Sequence, residues 1–226
     1  MASAYYLERI TQMTQAQSDQ EHIEVLLHSC PQIPDRTSYI LGESEDSPLP
    51  QMLAVGNGLV QAGAQVIAIP CITAHYFEEE LSKQIPVPII DALGETAQYL
   101  SERGIQSVGL MATDGTVQCG LFQKRLQDKG VNCILPDEAN QKAVMSIIYE
   151  DVKCGKPIDY ERFQKVTRSL KGQGAEVVIL GCTELSVVKR DFNMPAGIID
   201  VIDVLSRSAV LKCGRLKSEY QELITK

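Results

Sequence analysis

The sequence predicts an α/β protein built from two similar halves, each with a parallel sheet covered by helices. First, short apolar runs alternate with stretches whose apolar residues recur at helical spacing. Second, residues 63–67 (GAQVI) match residues 174–178 (GAEVV), and residues 88–91 (PIID) match residues 197–200 (GIID). Third, a cysteine follows the apolar run in each half. These observations indicate an internal duplication with one such cysteine per half, Cys71 and Cys182.

The elements follow in order along the chain. Runs typical of buried strands lie at residues 23–27, 65–69, 87–90, 107–111, 131–135, 176–180 and 197–199. Helical spacing is shown between them by Tyr6, Leu7, Ile10 and Met13, and by Val144, Ile147, Ile148 and Val152. Glycine-bearing turns end two helices at residues 61–63 and 171–174, and residues 41–50 are predicted to form an exposed loop. The predicted halves are residues 1–103 and 104–226, with the C-terminal helix available to pack back on the first half.

The duplication is unequal at its start. The second half opens with the strand at residues 107–111, a Thr/Gly loop at 112–116 and then a helix, whereas the first half opens with a helix at Ala4. The sequence therefore predicts that the first half has one strand fewer than the second. It also predicts a groove beside residues 23–27 with unpaired backbone groups, unless a partner chain fills that place.

The composition limits which classes of function can be expected for this chain. With 226 residues, 44% hydrophobic and 22% charged, the chain can bury a sizeable core. We expect neither a membrane span nor a secretory signal, because the apolar runs have only strand length and no basic, apolar leader opens the sequence. A cytoplasmic protein is the resulting expectation. A net charge of -8 without clustered Lys or Arg predicts no binding to nucleic acid.

Cysteine and histidine usage predicts neither disulfides nor a metal site. The seven cysteines are odd in number and widely scattered, so reduced thiols are expected. There is no CxxC pair, and the three histidines are not spaced as metal ligands. Most of these cysteines are expected to be small apolar residues in or near the core, namely Cys30, Cys119, Cys133, Cys154 and Cys213.

Cys71 and Cys182 are predicted to have a different role because each lies where a strand meets a helix. The helix dipole lowers a thiol's pKa there, and free backbone N–H groups can bind a carboxylate, with Thr73 and Thr183 as caps or donors. If the halves face each other across a pseudo-twofold axis, one thiol can remove a proton and the other can return it to the opposite face. That chemistry inverts a stereocentre. Two alternatives stay open: inert buried thiols, and a redox pair, which needs the sulfurs close enough to bond.

Residues 70–75 (PCITAH) and 181–184 (GCTE) resemble the two signature segments of the cofactor-independent aspartate/glutamate racemase family. The similarity extends over about residues 4–209. It implies two flavodoxin-like halves with an active-site cleft between them, an acidic amino acid as substrate, no pyridoxal phosphate or other cofactor, and a homodimer. The resemblance also implies that Cys71 acts on the D-enantiomer and Cys182 on the L-enantiomer.

The same resemblance implies several substrate-binding residues. Arg36, in the segment PDRT, matches the arginine that grips the side-chain carboxylate, and Lys153, in YEDVK, matches a lysine for the same group. Thr113 and Thr116 match threonines that contact the α-carboxylate. The implied set is completed by Ile72, Thr73, Thr183 and Glu184. The simpler interpretations are surface charges for Arg36 and Lys153 and helix caps for the two threonines.

Two departures from the family pattern affect the function. The family usually has Asn directly after the first cysteine, where this chain has Ile72, and the first strand with its Gly-rich loop is not apparent. The leading hypothesis is an aspartate racemase, with glutamate as a second substrate. The alternative is a degenerate paralogue that binds acidic amino acids without efficient turnover. Hydantoin racemases, maleate isomerases and arylmalonate decarboxylases are further options, but they lack this combination of motifs.

Overall fold

The computed structural model describes residues 2–226, which form helices around one parallel sheet. The helices are α1 (Ala2–Met13), α2 (Arg36–Ile40), α3 (Leu49–Gln61), α4 (Glu78–Gln84), α5 (Ala92–Glu102), α6 (Asp114–Gln118), α7 (Leu121–Gln127), α8 (Glu138–Ser146), α9 (Tyr160–Gly172), α10 (Thr183–Asp191) and α11 (Val201–Cys213). The strands are β1 (Ser107–Met111), β2 (Asn132–Ile134), β3 (Val177–Leu180) and β4 (Ile198–Asp200). Short 3₁₀ helices lie at Asp19–Glu21, Ile72–Phe77 and Ser218–Gln221, and α8 continues into a π-helical turn at Ile147–Val152.

The second half contains the complete parallel sheet. Its strand order is β2-β1-β3-β4, so β1 is paired on both edges. Alternate residues of β3 enter different cores: Val177 and Ile179 pack into one cluster, and Val178 and Leu180 into another. Burial on both faces explains the continuous apolar runs that the sequence shows. The predicted α/β class and the four strand positions of this half are confirmed, with bounds shifted by one residue at most at each end.

The first half differs from the prediction. Residues 23–27, 65–69 and 87–90 do not form strands; a single parallel bridge joins Ile67 to Ile89. It is held by the Ile67 N–H bonding to the Pro88 oxygen and the Ile90 N–H bonding to the Ile67 oxygen, both at 2.9 Å. The prediction of three regular strands here is therefore wrong. The reason is that no described segment lies between residues 23–27 and 65–69 to pair with either of them.

The halves share part of their core. Helix α11 packs against both α1 and α5, and the first core cluster contains Tyr6 and Ile10 from the first half together with Ile179 and Ile199 from the second. The C-terminal residues return to β4, where the Thr225 N–H bonds to the Ile198 oxygen at 2.9 Å and covers the sheet edge. Among residues 2–226, no helix is long and apolar enough to cross a membrane.

Several helices begin at a polar residue that caps the first turn. The Asp91 carboxylate accepts from the Leu93 and Gly94 N–H groups, and the Asp200 carboxylate accepts from the Ile202 N–H. These two aspartates end the matched segments PIID and GIID. The duplicated sequence therefore positions equivalent helices, α5 and α11, in the two halves.

Candidate active site

The two predicted thiols line the same cavity. Cys182 follows β3 and is the N-cap of α10, while Cys71 precedes the turn Ile72–Phe77 that leads into α4. Both line a cavity of about 1380 Å³. Because the carboxyl ends of parallel strands form the ligand-binding edge in α/β folds, the location of Cys182 agrees with a binding site.

Cys182 is buried beside a carboxylate. Its Sγ donates to Glu184 Oε2 at 2.8 Å, and Thr183 Oγ1 donates to the same oxygen at 3.0 Å. Burial raises the pKa of the Cys182 thiol well above its usual range, and the charge of Glu184 raises it further. The expectation that the helix N-terminus lowers this thiol's pKa is wrong, because burial and a neighbouring negative charge outweigh the dipole.

Cys71 has a positive neighbour instead. Arg36 Nη2 donates to Cys71 Sγ at 3.4 Å. Arg36 Nη1 donates to the carbonyl oxygens of Ile33 and Pro34 at 3.0 and 2.9 Å, which fixes the guanidinium at the cavity wall. The two half-sites therefore surround their sulfurs with opposite charges: a guanidinium at Cys71 and a carboxylate at Cys182.

Three threonine hydroxyls join the two halves at the site. Thr73 Oγ1 lies 3.1 Å from Thr113 Oγ1 and 3.0 Å from Thr116 Oγ1, and these last two are 3.1 Å apart. All three residues are buried. Thr113 also accepts from the Thr116 N–H as the N-cap of α6, so the capping role is present. Thr73 and Thr113 line the cavity, and Thr116 is fully buried.

Lys153 is held in a polar cluster that the sequence does not reveal. Its Nζ is 3.3 Å from Asp35 Oδ2 and 3.6 Å from the centre of the Tyr149 ring. Tyr149 Oη lies 3.3 Å from both Asp35 oxygens and donates to that carboxylate. Burial raises the pKa of Asp35, but the Ser38 N–H and the charge of Lys153 lower it more, so it stays below its ordinary value. Asp35 and Lys153 are too distant in sequence for any local pattern to show this contact.

Ile72 contributes an apolar surface rather than a hydrogen bond. It is 2% exposed and belongs to the first core cluster, although it also borders the cavity. Of the predicted site residues, the cavity wall therefore includes both cysteines together with Arg36, Ile72, Thr73, Thr113, Lys153, Thr183 and Glu184.

A second polar cluster has a donor set that a metal ion can use. Ligand atoms of His75, Glu78 and Asp91 lie within 4.8 Å of one another. Arg125 bridges the two carboxylates, at 2.9 Å from Glu78 and 3.1 Å from Asp91. Burial lowers the pKa of His75, whose Nε2 donates to the Ile69 oxygen at 3.2 Å. Because the guanidinium already supplies the positive charge, we interpret this cluster as an ion-pair network.

Comparisons with known proteins agree with the motifs. The family model described as Asp/Glu/Hydantoin racemase matches residues 1–209. The chain is similar to the broad specificity amino-acid racemase RacX of Bacillus subtilis, with 26% identity over 200 residues that cover 86% of this chain and 84% of the relative.

Solved structures show the same fold. The Picrophilus torridus aspartate racemase has a TM-score of 0.82 and 28% identity, covering 97% of this chain and 93% of that chain. An aspartate racemase homologue from Pyrococcus horikoshii has a TM-score of 0.73 at 21% identity, covering 94% of this chain and 93% of that chain. These similarities confirm the predicted two-half, flavodoxin-like fold class.

Proposed function

We propose that this chain, which belongs to the Asp/Glu/Hydantoin racemase family, interconverts L- and D-aspartate without a cofactor, using Cys71 and Cys182 as a pair of acid and base. The observation that carries the proposal is that these two thiols, from matched positions of a duplicated sequence, line one cavity. Aspartate is favoured as substrate because the similar Picrophilus torridus protein is an aspartate racemase.

The reaction moves one proton between the two faces of the substrate's α-carbon. One thiolate takes the α-proton, the electron pair is delocalised into the α-carboxylate, and the other thiol donates its proton to the opposite face. We assign Cys182, whose pKa is raised by burial and by the charge of Glu184, as the acid, and Cys71, which accepts a hydrogen bond from Arg36, as the base. This state acts on the D-enantiomer, and the product state has the proton on Cys71.

The reverse direction needs Cys182 as the base. The reverse reaction starts from the product state, with the proton on Cys71 and the thiolate on Cys182; Glu184 Oε2, 2.8 Å from the Cys182 sulfur, accepts a hydrogen bond from this thiol when it is protonated and holds it toward the cavity. Only one proton is shared by the pair in either direction, so no cofactor, oxidant or reductant enters the balance. Glu184 is therefore proposed to assist Cys182 rather than to bind the substrate.

Arg36 and Lys153 are proposed to bind the side-chain carboxylate, and the threonine cluster the α-carboxylate. In the free protein the Asp35 carboxylate pairs with Lys153. A bound substrate carboxylate must therefore share Lys153 with Asp35. A guanidinium can bind both oxygens of a carboxylate, which makes Arg36 the principal selector for diacids. Glutamate is proposed as a second substrate, and a homodimer as the working assembly.

The test is proton NMR in deuterated water with each enantiomer of aspartate and glutamate, using dialysed protein without added cofactor. The expected result is loss of the α-proton signal and appearance of the opposite enantiomer on chiral analysis. A requirement for pyridoxal phosphate would contradict the mechanism.

A second candidate function is binding of an acidic amino acid without turnover. Ile72 favours it, because an isoleucine next to Cys71 offers no side-chain hydrogen bond to an α-carboxylate. Loss of one hydrogen bond to a charge costs about 1.5–3 kcal/mol. The same NMR samples separate the two functions: a binder broadens the aspartate resonances but leaves the α-proton in place.

A further inference from the structure

We propose that Ser186 and His75, each four residues after one of the two cavity cysteines, are positioning residues that hold the sulfurs of Cys182 and Cys71 toward the cavity. Both side chains lie behind the cavity wall rather than in it, so each acts through the backbone of its cysteine and not on the substrate. Because these thiols are the acid and base of the proposed function, the positioning role rests on that function.

In the second half, Ser186 closes a ring at the end of the sheet. Leu180 of β3 pairs with Asp200 of β4. The chain leaves β3, passes Cys182 and enters α10, where Ser186 Oγ donates back to Asp200 Oδ1 at 2.8 Å. The Ser186 N–H also donates to the Cys182 oxygen at 3.3 Å. The junction that carries Cys182 is therefore tied to β4 on both sides, through Leu180 before it and Ser186 after it.

Burial makes the bond between Ser186 and Asp200 hard to exchange. Both residues are fully buried. Asp200 Oδ1 accepts a second bond, from the Ile202 N–H at 2.9 Å, and Asp200 Oδ2 has no hydrogen-bond partner among the described residues. A buried carboxylate with so few donors loses much free energy if one donor leaves. The Ser186 hydroxyl is therefore a firm link between α10 and β4.

The first half has the same closure with a different side chain. By the matched segments, residues 69, 71, 75 and 91 correspond to residues 180, 182, 186 and 200. His75 is 3% exposed, and its Nε2 donates to the Ile69 oxygen at 3.2 Å, across the turn that carries Cys71. A carboxylate oxygen of Asp91 lies within 4.8 Å of a His75 ring nitrogen. In both halves, the side chain four residues after the cysteine therefore returns to the end of the sheet segment that precedes it.

The positions of the sulfurs matter because proton transfer to and from carbon requires close alignment. A cysteine sulfur is bonded directly to Cβ, so its place follows the backbone of its own residue. A displacement of about 1 Å in a catalytic group can lower a rate by about 10²-fold. Side chains that fix the backbone at Cys71 and Cys182 can therefore control the reaction without touching the substrate.

The first test reports on each thiol separately and needs no activity. Full-length Ser186→Ala and His75→Leu are treated with iodoacetamide, and mass spectrometry gives the alkylation rate of each cavity cysteine. Ser186→Ala should speed alkylation of Cys182 at least about threefold and leave Cys71 unchanged, because only the junction at Cys182 is loosened. His75→Leu should have the opposite selectivity. Equal changes at both thiols, or at neither, would overturn the proposal.

Ser206→Ala is the matched control for Ser186→Ala. Ser206 is also fully buried, but its hydroxyl has no hydrogen-bond partner among the described residues. Deleting that hydroxyl should change neither alkylation rate. A change at Cys182 as large as that in Ser186→Ala would mean that any lost buried hydroxyl loosens the site, which would overturn the role of Ser186.

The second test asks which proton transfer limits racemisation. Ser186→Ala should lower kcat/KM for aspartate by about 10–100-fold. It should also raise the α-deuterium isotope effect on kcat/KM with L-aspartate and lower it with D-aspartate, because the transfer at Cys182 becomes the slower step. His75→Leu should shift the two isotope effects in the opposite directions. A lower rate with both isotope effects unchanged would indicate a general structural loss and overturn the positioning role.

A conservative variant and folding controls complete the design. His75→Gln keeps a side-chain N–H that can reach the Ile69 oxygen, so it should behave like the parent protein in both tests. Equal losses in His75→Gln and His75→Leu would overturn the role of His75. Melting curves verify folding, and if His75→Leu does not fold, Ser186→Ala and Ser206→Ala decide.

The two tests also separate this inference from the proposed function. Selective changes in alkylation in a protein that does not racemise aspartate would support the positioning of the thiols and contradict the proposed function. An active protein whose variants change neither the alkylation rates nor the isotope effects would overturn the positioning role alone.

Discussion

The two halves of this protein have matching sequence segments but unequal sheets. In the second half, the counterparts of residues 65–69 and 87–90 are the buried strands β3 and β4, and Val178, Ile179 and Ile198 are fully buried. In the first half, the same pattern yields a single bridge, and the preceding apolar run at residues 23–27 exposes two leucines. The difference lies in the central strand. Within residues 2–226 the first half has no counterpart of β1, so no strand lies between residues 23–27 and 65–69.

The difference teaches that a strand-like sequence does not become a strand by itself. Residues 65–69 (QVIAI) have the composition of a buried strand, yet a ladder needs a partner on the adjacent edge. The edge of residues 65–69 that faces residues 87–90 is still paired, through Ile67 and Ile89. Within the described residues, the opposite edge is not paired. Pairing is therefore lost only where the central strand would have contributed it.

The largest effect is expected at the paired thiols, the feature that both halves keep. Cys71→Ala and Cys182→Ala should each lower the racemisation rate by about 10³-fold or more, because inversion needs a group on each face. Cys154→Ala, at an exposed thiol that does not line the cavity, is the control and should leave the rate unchanged. The measurement is the initial rate of D-aspartate formation by chiral chromatography. Near-normal activity of either cavity variant would remove that cysteine from the catalytic pair.

Hydrogen exchange should show the next largest contrast. Amides in β1 and β3 should exchange only through global opening, which costs about 5 kcal/mol or more, whereas amides at residues 24–28 exchange from the native state. The expected ratio of protection factors is on the order of 10³ or more. Mass spectrometry of peptides from the two regions provides the values. Similar protection in both regions would mean that the first half is paired in solution.

Arg36 beside Cys71 and Glu184 beside Cys182 differ in charge, so replacing them should lower the activity in different ways. Arg36→Ala should reduce kcat/KM for aspartate by about 30-fold or more, through a lost charge-assisted bond worth about 2–4 kcal/mol. The loss should be far smaller for alanine or serine as substrate, which lack the second carboxylate. Glu184→Gln should instead lower the rate for all substrates alike. Rates measured for aspartate and alanine with both variants decide this; an equal Arg36→Ala loss on both amino acids would place Arg36 outside the specificity site.

Matched isoleucines should reveal the unequal packing of the two halves. Ile198→Ala removes a fully buried side chain and should cost about 2–5 kcal/mol of unfolding free energy. Ile89→Ala, at the equivalent but partly exposed position, should cost about 1 kcal/mol. Urea unfolding of both variants measures the difference. Equal costs would show that Ile89 is as well packed as Ile198.

The matched capping aspartates should give the smallest effect. Burial and the charge of Asp203 raise the pKa of Asp200 to about 6 from 3.8. A raised carboxyl pKa favours the folded state below about pH 4, and this contribution is lost as the pH rises to about 6. Asp200→Asn should therefore reduce the change in melting temperature between pH 4 and 6, and it should not lower the melting temperature at pH 7. Asp91→Asn loses the ion pair with Arg125 and should lower it slightly at pH 7. A pH dependence unchanged by Asp200→Asn would contradict the assignment.

The sequence alone determined the features that depend on local pattern. It specified the α/β class, the duplication, the strand β1 and the two junction cysteines, because periodicity and motif spacing are carried by neighbouring residues. It also identified the family through two short segments, and most of the predicted site residues border one cavity.

The tertiary structure decided whatever depends on residues far apart in the chain. The pKa of Cys182 is set by burial, which overrides the helix dipole that the sequence suggested. The contact of Lys153 with Asp35 joins the two halves and leaves no local signature. Whether residues 23–27 and 65–69 become strands depended on an adjacent backbone, since β-pairing is a property of two segments and cannot be read from either one.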